Sequence, residues 1–195
     1  HFQQSVLPQA VHPPVLQYFA DFDRIKTALE TVFSHHKIYR IGTGEFTDSL
    51  IWEPYTNLPR FLVELFSVQN NSILELKTKT VNIQSLLNLK HNQKTVLAWS
   101  MNTPAVIRSE ERGTASLNSR LKAAKKVIDA GYPVAFHFDP VILYPGCESE
   151  YLEVLDQIFK MIPYEQIIWI SIGTFRFMPD LKNIIKKRFE QSTIC

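Results

Sequence analysis

The chain has 195 residues, 45% of them hydrophobic and 21% charged, with a formal net charge of +2. This balance predicts one globular domain with a substantial core, and the small net charge neither demands nor excludes nucleic acid. No apolar run is long enough to span a bilayer and no signal segment opens the chain, so we expect no membrane partner, and we expect a monomer.

The two cysteines, Cys147 and Cys195, are too few for a disulfide framework, so we expect a reducing, cytoplasmic setting. The first residue is His1 rather than Met, and the chain opens in the middle of a pattern. We therefore expect residues 1–195 to be one α/β core that lacks an amino-terminal part. Residues 1–20 are rich in Gln, Pro and His, which predicts an extended surface segment.

Beyond residue 20, the sequence predicts helices and strands in alternation. Helices are predicted where apolar residues recur at helical spacing, and strands where apolar or β-branched residues run together. The first three predicted helices begin near Asp21 or Asp23, at Thr56 or Asn57, and at Asn82. Three more are predicted after them: the longest, from about 114 to 130, and two others over 150–161 and 180–189. The predicted strands start at Lys37 and continue with 73–80, 95–102, 133–140 and 166–173, the last of them nearly all apolar, as buried parallel strands are.

This alternation predicts a parallel sheet with right-handed crossovers and outer helices. No strand carries a Rossmann glycine fingerprint. Each strand instead ends in polar residues, which favours a TIM-like barrel or half-barrel with one active face at the carboxyl ends of the strands.

The most informative stretch is the turn after the first predicted strand, Gly42-Thr43-Gly44-Glu45. Glycine lets the backbone approach a ligand closely or adopt positive φ. Glu45 and Asp48 are candidates for acid–base groups or metal ligands, and a simple capped turn is the alternative interpretation.

Other strand ends carry further candidates. Lys79 suits a carboxylate or phosphate, and Ser100 and Asn102 suit sugar hydroxyls, although solvated or loop-forming residues are the alternative. His137 and Asp139 share one strand face, which suits a metal or a proton relay, while a satisfied buried histidine is the simpler interpretation. No Ser-His-Asp order, Walker loop or zinc cysteine pattern is present.

Several motifs occur in an order that resembles the spore photoproduct lyase family of the radical S-adenosylmethionine superfamily. The similarity spans roughly residues 38–142 and continues more loosely over 164–190. The motifs are Arg40-Ile41-Gly42-Thr43-Gly44-Glu45-Phe46-Thr47-Asp48-Ser49, Leu74-Glu75-Leu76-Lys77-Thr78-Lys79, Leu89-Lys90-His91-Asn92, Trp99-Ser100-Met101-Asn102, Glu111-Arg112-Gly113-Thr114-Ala115-Ser116-Leu117-Asn118-Ser119-Arg120-Leu121 and Phe136-His137-Phe138-Asp139-Pro140.

The resemblance implies a partial (β/α)6 radical SAM barrel that holds a [4Fe–4S] cluster and S-adenosylmethionine at its open face. It implies that Gly42-Thr43-Gly44-Glu45 contacts the methionine amino group, that Lys79 meets the methionine carboxylate, and that Ser100 and Asn102 face the ribose. It also implies that Arg120 supports that carboxylate or Glu111, and that Asp139 joins the same rim.

The resemblance further implies that a 5′-deoxyadenosyl radical abstracts hydrogen from the substrate, which in the spore enzyme is a thymine dimer in DNA. DNA is therefore an expected partner, with Arg108, Arg112, Lys122 and Arg176 as candidates for phosphate contacts.

Two departures from the family pattern are visible. The cluster motif Cys-x-x-x-Cys-x-x-Cys is absent, so the cluster ligands are not in this chain and we expect the chain alone to be inactive. The family's hydrogen-donating cysteine falls at about Glu45, which indicates a sister group with a different substrate.

Two other functional classes stay open. One is a non-catalytic, degenerate barrel that binds a ligand or nucleic acid. The other is a metal-dependent hydrolase using His137, Asp139 and Glu45, which would need more strand-end histidines than the sequence supplies.

Overall fold

The computed structural model describes residues 20–43, 47–174 and 179–189. Its centre is one sheet of five parallel strands, whose order in space equals their order in the chain. The strands are β1 (Tyr39–Gly42), β2 (Ser72–Thr78), β3 (Thr95–Ser100), β4 (Val134–Val141) and β5 (Ile167–Thr174).

Helices connect and flank these strands. They are α1 (Phe22–Phe33), α2 (Leu58–Ser67), α3 (Pro104–Ser109), α4 (Leu117–Asp129), α5 (Cys147–Met161) and α6 (Pro179–Arg188), and short 3₁₀ turns cover Gln84–Leu86 and Tyr164–Gln166.

The strand order distinguishes a barrel from an open doubly wound sheet. Each strand pairs in parallel with the next strand of the chain, so the order never reverses as it would at a doubly wound switch point. Five such strands with helices on the outside form a half-barrel. The predicted parallel barrel architecture is therefore confirmed, and the carboxyl ends of all five strands lie at one rim.

The main core lies between the sheet and the helices. On β2, β3 and β4, alternate residues face this outer core, for example Leu74, Leu97 and Phe136. The helices contribute the apolar positions that their 3.6-residue periodicity predicted, including Leu121 and Val127 on α4. Because this continuous apolar layer is buried against the helices, the alternate side chains of each strand face the opposite, inner side of the sheet.

The opposite, inner face is smaller and more polar. Its apolar cluster is limited to Val96, Ala98 and Ala135, with Ile73 and Trp169 packed against them. Because side chains alternate along a strand, the residues two positions further along share this face. They include Glu75, Ser100, His137 and Ser171.

The predicted helix at Asn82 is wrong. The segment forms only one 3₁₀ turn at Gln84–Leu86. The Asn82 amide donates to the Leu50 carbonyl instead of capping a helix, and the Glu53 carboxylate accepts from the Ser85 backbone N–H at 2.6 Å. The Asn82 side chain and the Ser85 backbone N–H are thus bonded to the preceding loop, so they are not available to cap or extend a helix.

Three further details differ from the prediction. Helix α3 was not predicted, although Thr103 caps it and Pro104 opens it, a pairing typical of helix starts. The longest described helix is α5, with 15 residues, and not α4, which has 13. Strand β5 is only partly buried, since it lies at the edge of the five-stranded sheet and Ile172 is 78% exposed.

The predicted extended segment over residues 1–20 lies almost entirely outside the described residues. None of the helices within the described ranges combines the length and the apolar character needed to cross a membrane.

Candidate functional site

The turn after β1 is joined to β2 by hydrogen bonds that continue the sheet. The Thr43 backbone N–H donates to the Glu75 carbonyl, and the Thr43 hydroxyl donates to the Ser49 hydroxyl at 2.8 Å. Ser49 exchanges two hydrogen bonds with the backbone of Lys77. The turn therefore lies at the rim, as predicted for Gly42 and Thr43, while Gly44 and Glu45 lie outside the described residues.

Asp48 closes this turn with its carboxylate. One oxygen accepts from the Leu50 N–H and the Thr78 hydroxyl, and the other accepts from the Lys79 N–H at 2.7 Å. Three hydrogen bonds from the protein agree with the capped-turn interpretation. Asp48 thus positions the end of β2 and the start of the loop that carries Lys79.

Lys79 belongs to a charged network at the rim. Its ammonium lies 2.8 Å from Oε1 of Glu111, and the Arg120 guanidinium lies 2.7 Å from Oε2 of the same carboxylate. Arg120 is fully buried and also donates to the Ser100 carbonyl and the Thr114 hydroxyl. The Lys79 side chain is 36% exposed, so it is the cation of this network that a ligand can reach.

Two opposing effects act on Glu111. Burial raises the pKa of its carboxyl, but the nearby charges and hydrogen bonds of Lys79 and Arg120 outweigh burial and hold the pKa below its ordinary value. Glu111 is therefore ionised at neutral pH. Arg120 and Lys79 contact different oxygens of this carboxylate, so Arg120 holds it independently of Lys79.

Both the nitrogen and the oxygen of the Asn102 amide are hydrogen-bonded. Its Nδ2 donates to Glu111 and to the Pro140 carbonyl, and its Oδ1 accepts from the Tyr151 hydroxyl. Tyr151 lies on α5, and its oxygen also accepts from the Ile142 N–H at 2.9 Å. These bonds tie α5 to the rim. The predicted ribose contacts of Asn102 and of the buried Ser100 stay predictions.

Asp139 lies at the rim on β4, against the β5 backbone. A Cβ added to Gly173 would lie 2.5 Å from Oδ1 of Asp139, which is closer than real Cβ contacts come. Gly173 is thus required for Asp139 to occupy this position. At Gly42, by contrast, an added Cβ would meet Oε2 of Glu75 at an ordinary 3.7 Å.

His137 belongs to a second polar group, on the inner face. Its Nε2 lies 2.6 Å from Oε1 of Glu75, its Nδ1 lies 2.6 Å from the Ser171 hydroxyl, and the Trp169 indole N–H is 3.3 Å from Nε2. The interpretation of His137 as a satisfied buried histidine is confirmed. Within the described ranges no group of three or more His, Cys, Asp or Glu is placed to hold a metal ion.

The Glu75 carboxyl is subject to opposing effects as well. Burial raises its pKa, while the hydrogen bond and charge of His137 and the charges of Arg40 and Lys77 hold it below its ordinary value. The Arg40 guanidinium lies 3.6 Å from Glu75 and 4.9 Å from the centre of the Trp169 ring.

Sequence reasoning missed Glu75, Tyr151 and Ser171 as members of these groups. Glu75 interrupts the apolar strand Ile73-Leu74-Glu75-Leu76, and an acid at an inward strand position was a usable signal. Tyr151 and Ser171 are ordinary residues of a helix and a strand, and only the packing brings them to Asn102 and His137.

The parallel half-barrel, with a charged rim at the carboxyl ends of its strands, defines a TIM-like α/β protein with a candidate ligand site on that rim. The family model for spore photoproduct lyase matches residues 13–194. The chain belongs to the spore photoproduct lyase family, and the predicted family membership is confirmed.

Individual relatives agree with the family model. The chain is 30% identical over 148 residues to the spore photoproduct lyase of Clostridium acetobutylicum, an alignment covering 76% of this chain and 44% of the relative. It is 29% identical over 185 residues to that of Geobacillus sp. (strain Y412MC61), covering 93% of this chain and 54% of the relative. The chain thus spans about half the length of these relatives.

A solved structure supports the fold. It is a spore photoproduct lyase double mutant with bound AdoMet and dinucleoside spore photoproduct, and it matches with a TM-score of 0.89 at 24% identity. The match covers 100% of this chain and 58% of that chain. At this identity the likeness shows the half-barrel fold alone.

The residues present fit the two implied groups differently. An exposed ammonium at Lys79 suits the carboxylate of an amino acid such as S-adenosylmethionine, because its Glu111 partner stays held by Arg120. An iron–sulfur cluster needs several thiolates, whereas the sequence holds two cysteines and Cys147 is a buried, free thiol. This chain therefore does not supply the cluster ligands.

Proposed function

We propose that this chain is the barrel core of a radical S-adenosylmethionine enzyme that carries out lyase-type repair chemistry on damaged bases in DNA. The observation that carries the proposal is the Lys79–Glu111–Arg120 network at the rim of a half-barrel in this family. We place the protein in the cytoplasm, where Cys147 stays a free thiol.

The rim residues bind and orient the cofactor in this proposal. Lys79 turns from Glu111 to the methionine carboxylate, Thr43 and the turn around Gly42 lie beside the amino group, and Asp139 lies beside the nucleoside. When bound, S-adenosylmethionine supplies the 5′-deoxyadenosyl group whose radical abstracts hydrogen from the substrate. Arg120 and Asn102 keep the Glu111 carboxylate in place throughout.

The test uses the complete reading frame that contains this chain, reconstituted anaerobically with iron and sulfide. We expect cluster absorbance and formation of 5′-deoxyadenosine from S-adenosylmethionine. Lys79→Met should weaken S-adenosylmethionine binding at least tenfold, since it removes a charge-assisted contact worth about 1.5–3 kcal/mol.

Lys94→Met is the matched control for this variant. Lys94 precedes β3, at the opposite end of the sheet, and its ammonium donates to the Asn70 carbonyl. It should bind S-adenosylmethionine like the wild type. Absence of 5′-deoxyadenosine in the wild type overturns the proposed activity, and equal affinity of the two lysine variants overturns the role of Lys79.

DNA binding is tested separately by salt dependence. Arg108, Arg112 and Lys122 are exposed, and they stay candidates for phosphate contacts. Arg176 is also a candidate, although it lies outside the described residues. If they contact phosphates, affinity for a lesion-containing duplex should fall steeply between 50 and 200 mM salt, on the order of tenfold or more for a few contacts.

A second candidate is a barrel that binds the cofactor or nucleic acid without catalysis. The observation that favours it is the absence of a cysteine triplet from these 195 residues. The coding sequence upstream of His1 separates the candidates, because a Cys-x-x-x-Cys-x-x-Cys motif there supports the enzyme and its absence supports the binding module.

A further inference from the structure

A row of polar side chains in close contact crosses the inner face of the sheet. Glu75 on β2 contacts His137 on β4, and His137 contacts Ser171 on β5, each at 2.6 Å. The Glu75 and His137 side chains are each 9% exposed, while Ser171 is only partly buried. Ser171 is therefore the member of this row that a ligand on the inner face can touch.

The row forms the floor beneath the rim. Between Glu75 and His137 the row crosses β3 above Val96 and Ala98, whose short side chains leave room for the contact. Ala98 is fully buried beneath the row. Two residues further along β4 and β5 on the same face are Asp139 and Gly173, which contact each other at the rim. A ligand held at the rim and extending inward meets Ser171 next.

The hydrogen bonds determine what Ser171 offers to a ligand. A proton on Nε2 of His137 faces the Glu75 carboxylate 2.6 Å away, whereas an unprotonated Nε2 accepts from the Trp169 indole N–H at 3.3 Å. With the proton on Nε2 alone, Nδ1 accepts the Ser171 proton and Ser171 offers lone pairs. With a proton on Nδ1, His137 donates to Ser171, whose O–H is then free to donate.

Both of these states match the edge of a thymine or uracil base, which carries a ring N–H between two carbonyl oxygens. We propose that Ser171, held by His137 and Glu75, is a hydrogen-bonding subsite for the imide edge of a nucleobase in the substrate. This inference rests on the proposed function for the substrate class, and it assigns Ser171 to the substrate rather than to the cofactor.

The test measures binding of dinucleoside spore photoproduct and of S-adenosylmethionine to the reconstituted full-length protein by calorimetry. We expect Ser171→Ala to weaken dinucleoside binding about fivefold and to leave S-adenosylmethionine affinity unchanged, as the loss of one hydrogen bond predicts. Ser171→Thr keeps the hydroxyl on a β-branched side chain and should restore most of the affinity.

If the contacts among Glu75, His137 and Ser171 only stabilise the fold, Ser171→Ala should lower the melting temperature and leave the dinucleoside affinity unchanged. That result overturns the inference. If Ser171→Ala does not fold, Ser171→Cys takes its place, since it keeps the size but donates weakly. Wild-type affinity in Ser171→Cys also overturns the inference.

Nuclear magnetic resonance of His137 gives an independent measurement. Dinucleoside binding should shift the imidazole ¹⁵N signals of the wild type through Ser171, and should leave them nearly unchanged in Ser171→Ala. The failures are distinguishable: a protein that binds the dinucleoside through Ser171 but forms no 5′-deoxyadenosine overturns the proposed activity alone. A protein that cleaves S-adenosylmethionine but binds without Ser171 overturns this inference alone.

Discussion

The Arg120 guanidinium is fully buried, and its Nη2 lies 2.7 Å from Oε2 of Glu111, on the opposite side of the carboxylate from Lys79. A buried cation on one side and a partly exposed one on the other give the two contacts separate roles. Arg120 anchors the carboxylate from within the core, and Lys79 provides the charge of this network that solvent can reach.

Arg120→Met should lower the free energy of unfolding by about 3–5 kcal/mol, because it removes one partner of a buried ion pair and leaves Glu111 poorly compensated. Urea unfolding monitored by circular dichroism measures this change. Arg60→Met is the matched control, since Arg60 forms a 2.9 Å pair with Glu64 in which both side chains are more than half exposed. That control should lose less than about 1 kcal/mol. Equal losses would contradict the separate role of Arg120.

Acid should destabilise the protein through Glu111 and Glu75. Both have folded-state pKa values below the ordinary 4.5, so each contributes stability that is fully present above 4.5. As pH falls below this value the unfolded chain takes up protons first, and the contribution is lost once pH passes through the folded pKa. Urea unfolding at intervals from pH 7 to 3 measures the slope. In Glu111→Gln the slope should be shallower, and an unchanged slope would contradict this account.

Gly173→Ala should disturb the rim. The added Cβ has no space beside Asp139, so the carboxylate or the end of β5 must move, and we expect a loss of about 1–3 kcal/mol from overpacking. Thermal unfolding checks the stability. Gly42→Ala is the steric control, because its added Cβ makes only an ordinary contact, and it should change stability by less than about 1 kcal/mol. A Gly173→Ala variant as stable as Gly42→Ala would disprove the close packing.

Thr95→Val should stabilise the protein. The Thr95 hydroxyl is completely buried and has no hydrogen-bond partner among the described residues, so replacing it with a methyl group of similar shape removes a desolvation cost of about 1–3 kcal/mol. Thr78→Val tests the opposite case, since the Thr78 hydroxyl donates to Asp48 at 2.7 Å and its loss should destabilise. Chemical denaturation of both variants decides the matter, and destabilisation by Thr95→Val would refute the prediction.

The sequence was most informative about elements whose periodicity is long and regular. The apolar spacing of α4 predicted Leu121 and Val127 as buried, and the alternation of strands with helices predicted the parallel half-barrel. The segment after Asn82 misled the prediction, because its backbone groups bond to the preceding loop at Leu50 and Glu53. Local propensity does not register such contacts.

The sequence by itself predicted that Lys79, Ser100, Asn102 and Asp139 lie at one rim, because all four are in or just beyond the carboxyl-terminal parts of strands, and parallel strands end at the same edge of a sheet. Only the tertiary structure decided which groups pair there. Glu111 reaches Lys79 and Arg120, which are 32 and 9 residues away in the chain, and Glu75 reaches His137, which is 62 residues away. Such pairing depends on the curvature of the sheet and on small residues such as Ala98, which set how closely side chains from non-adjacent strands approach.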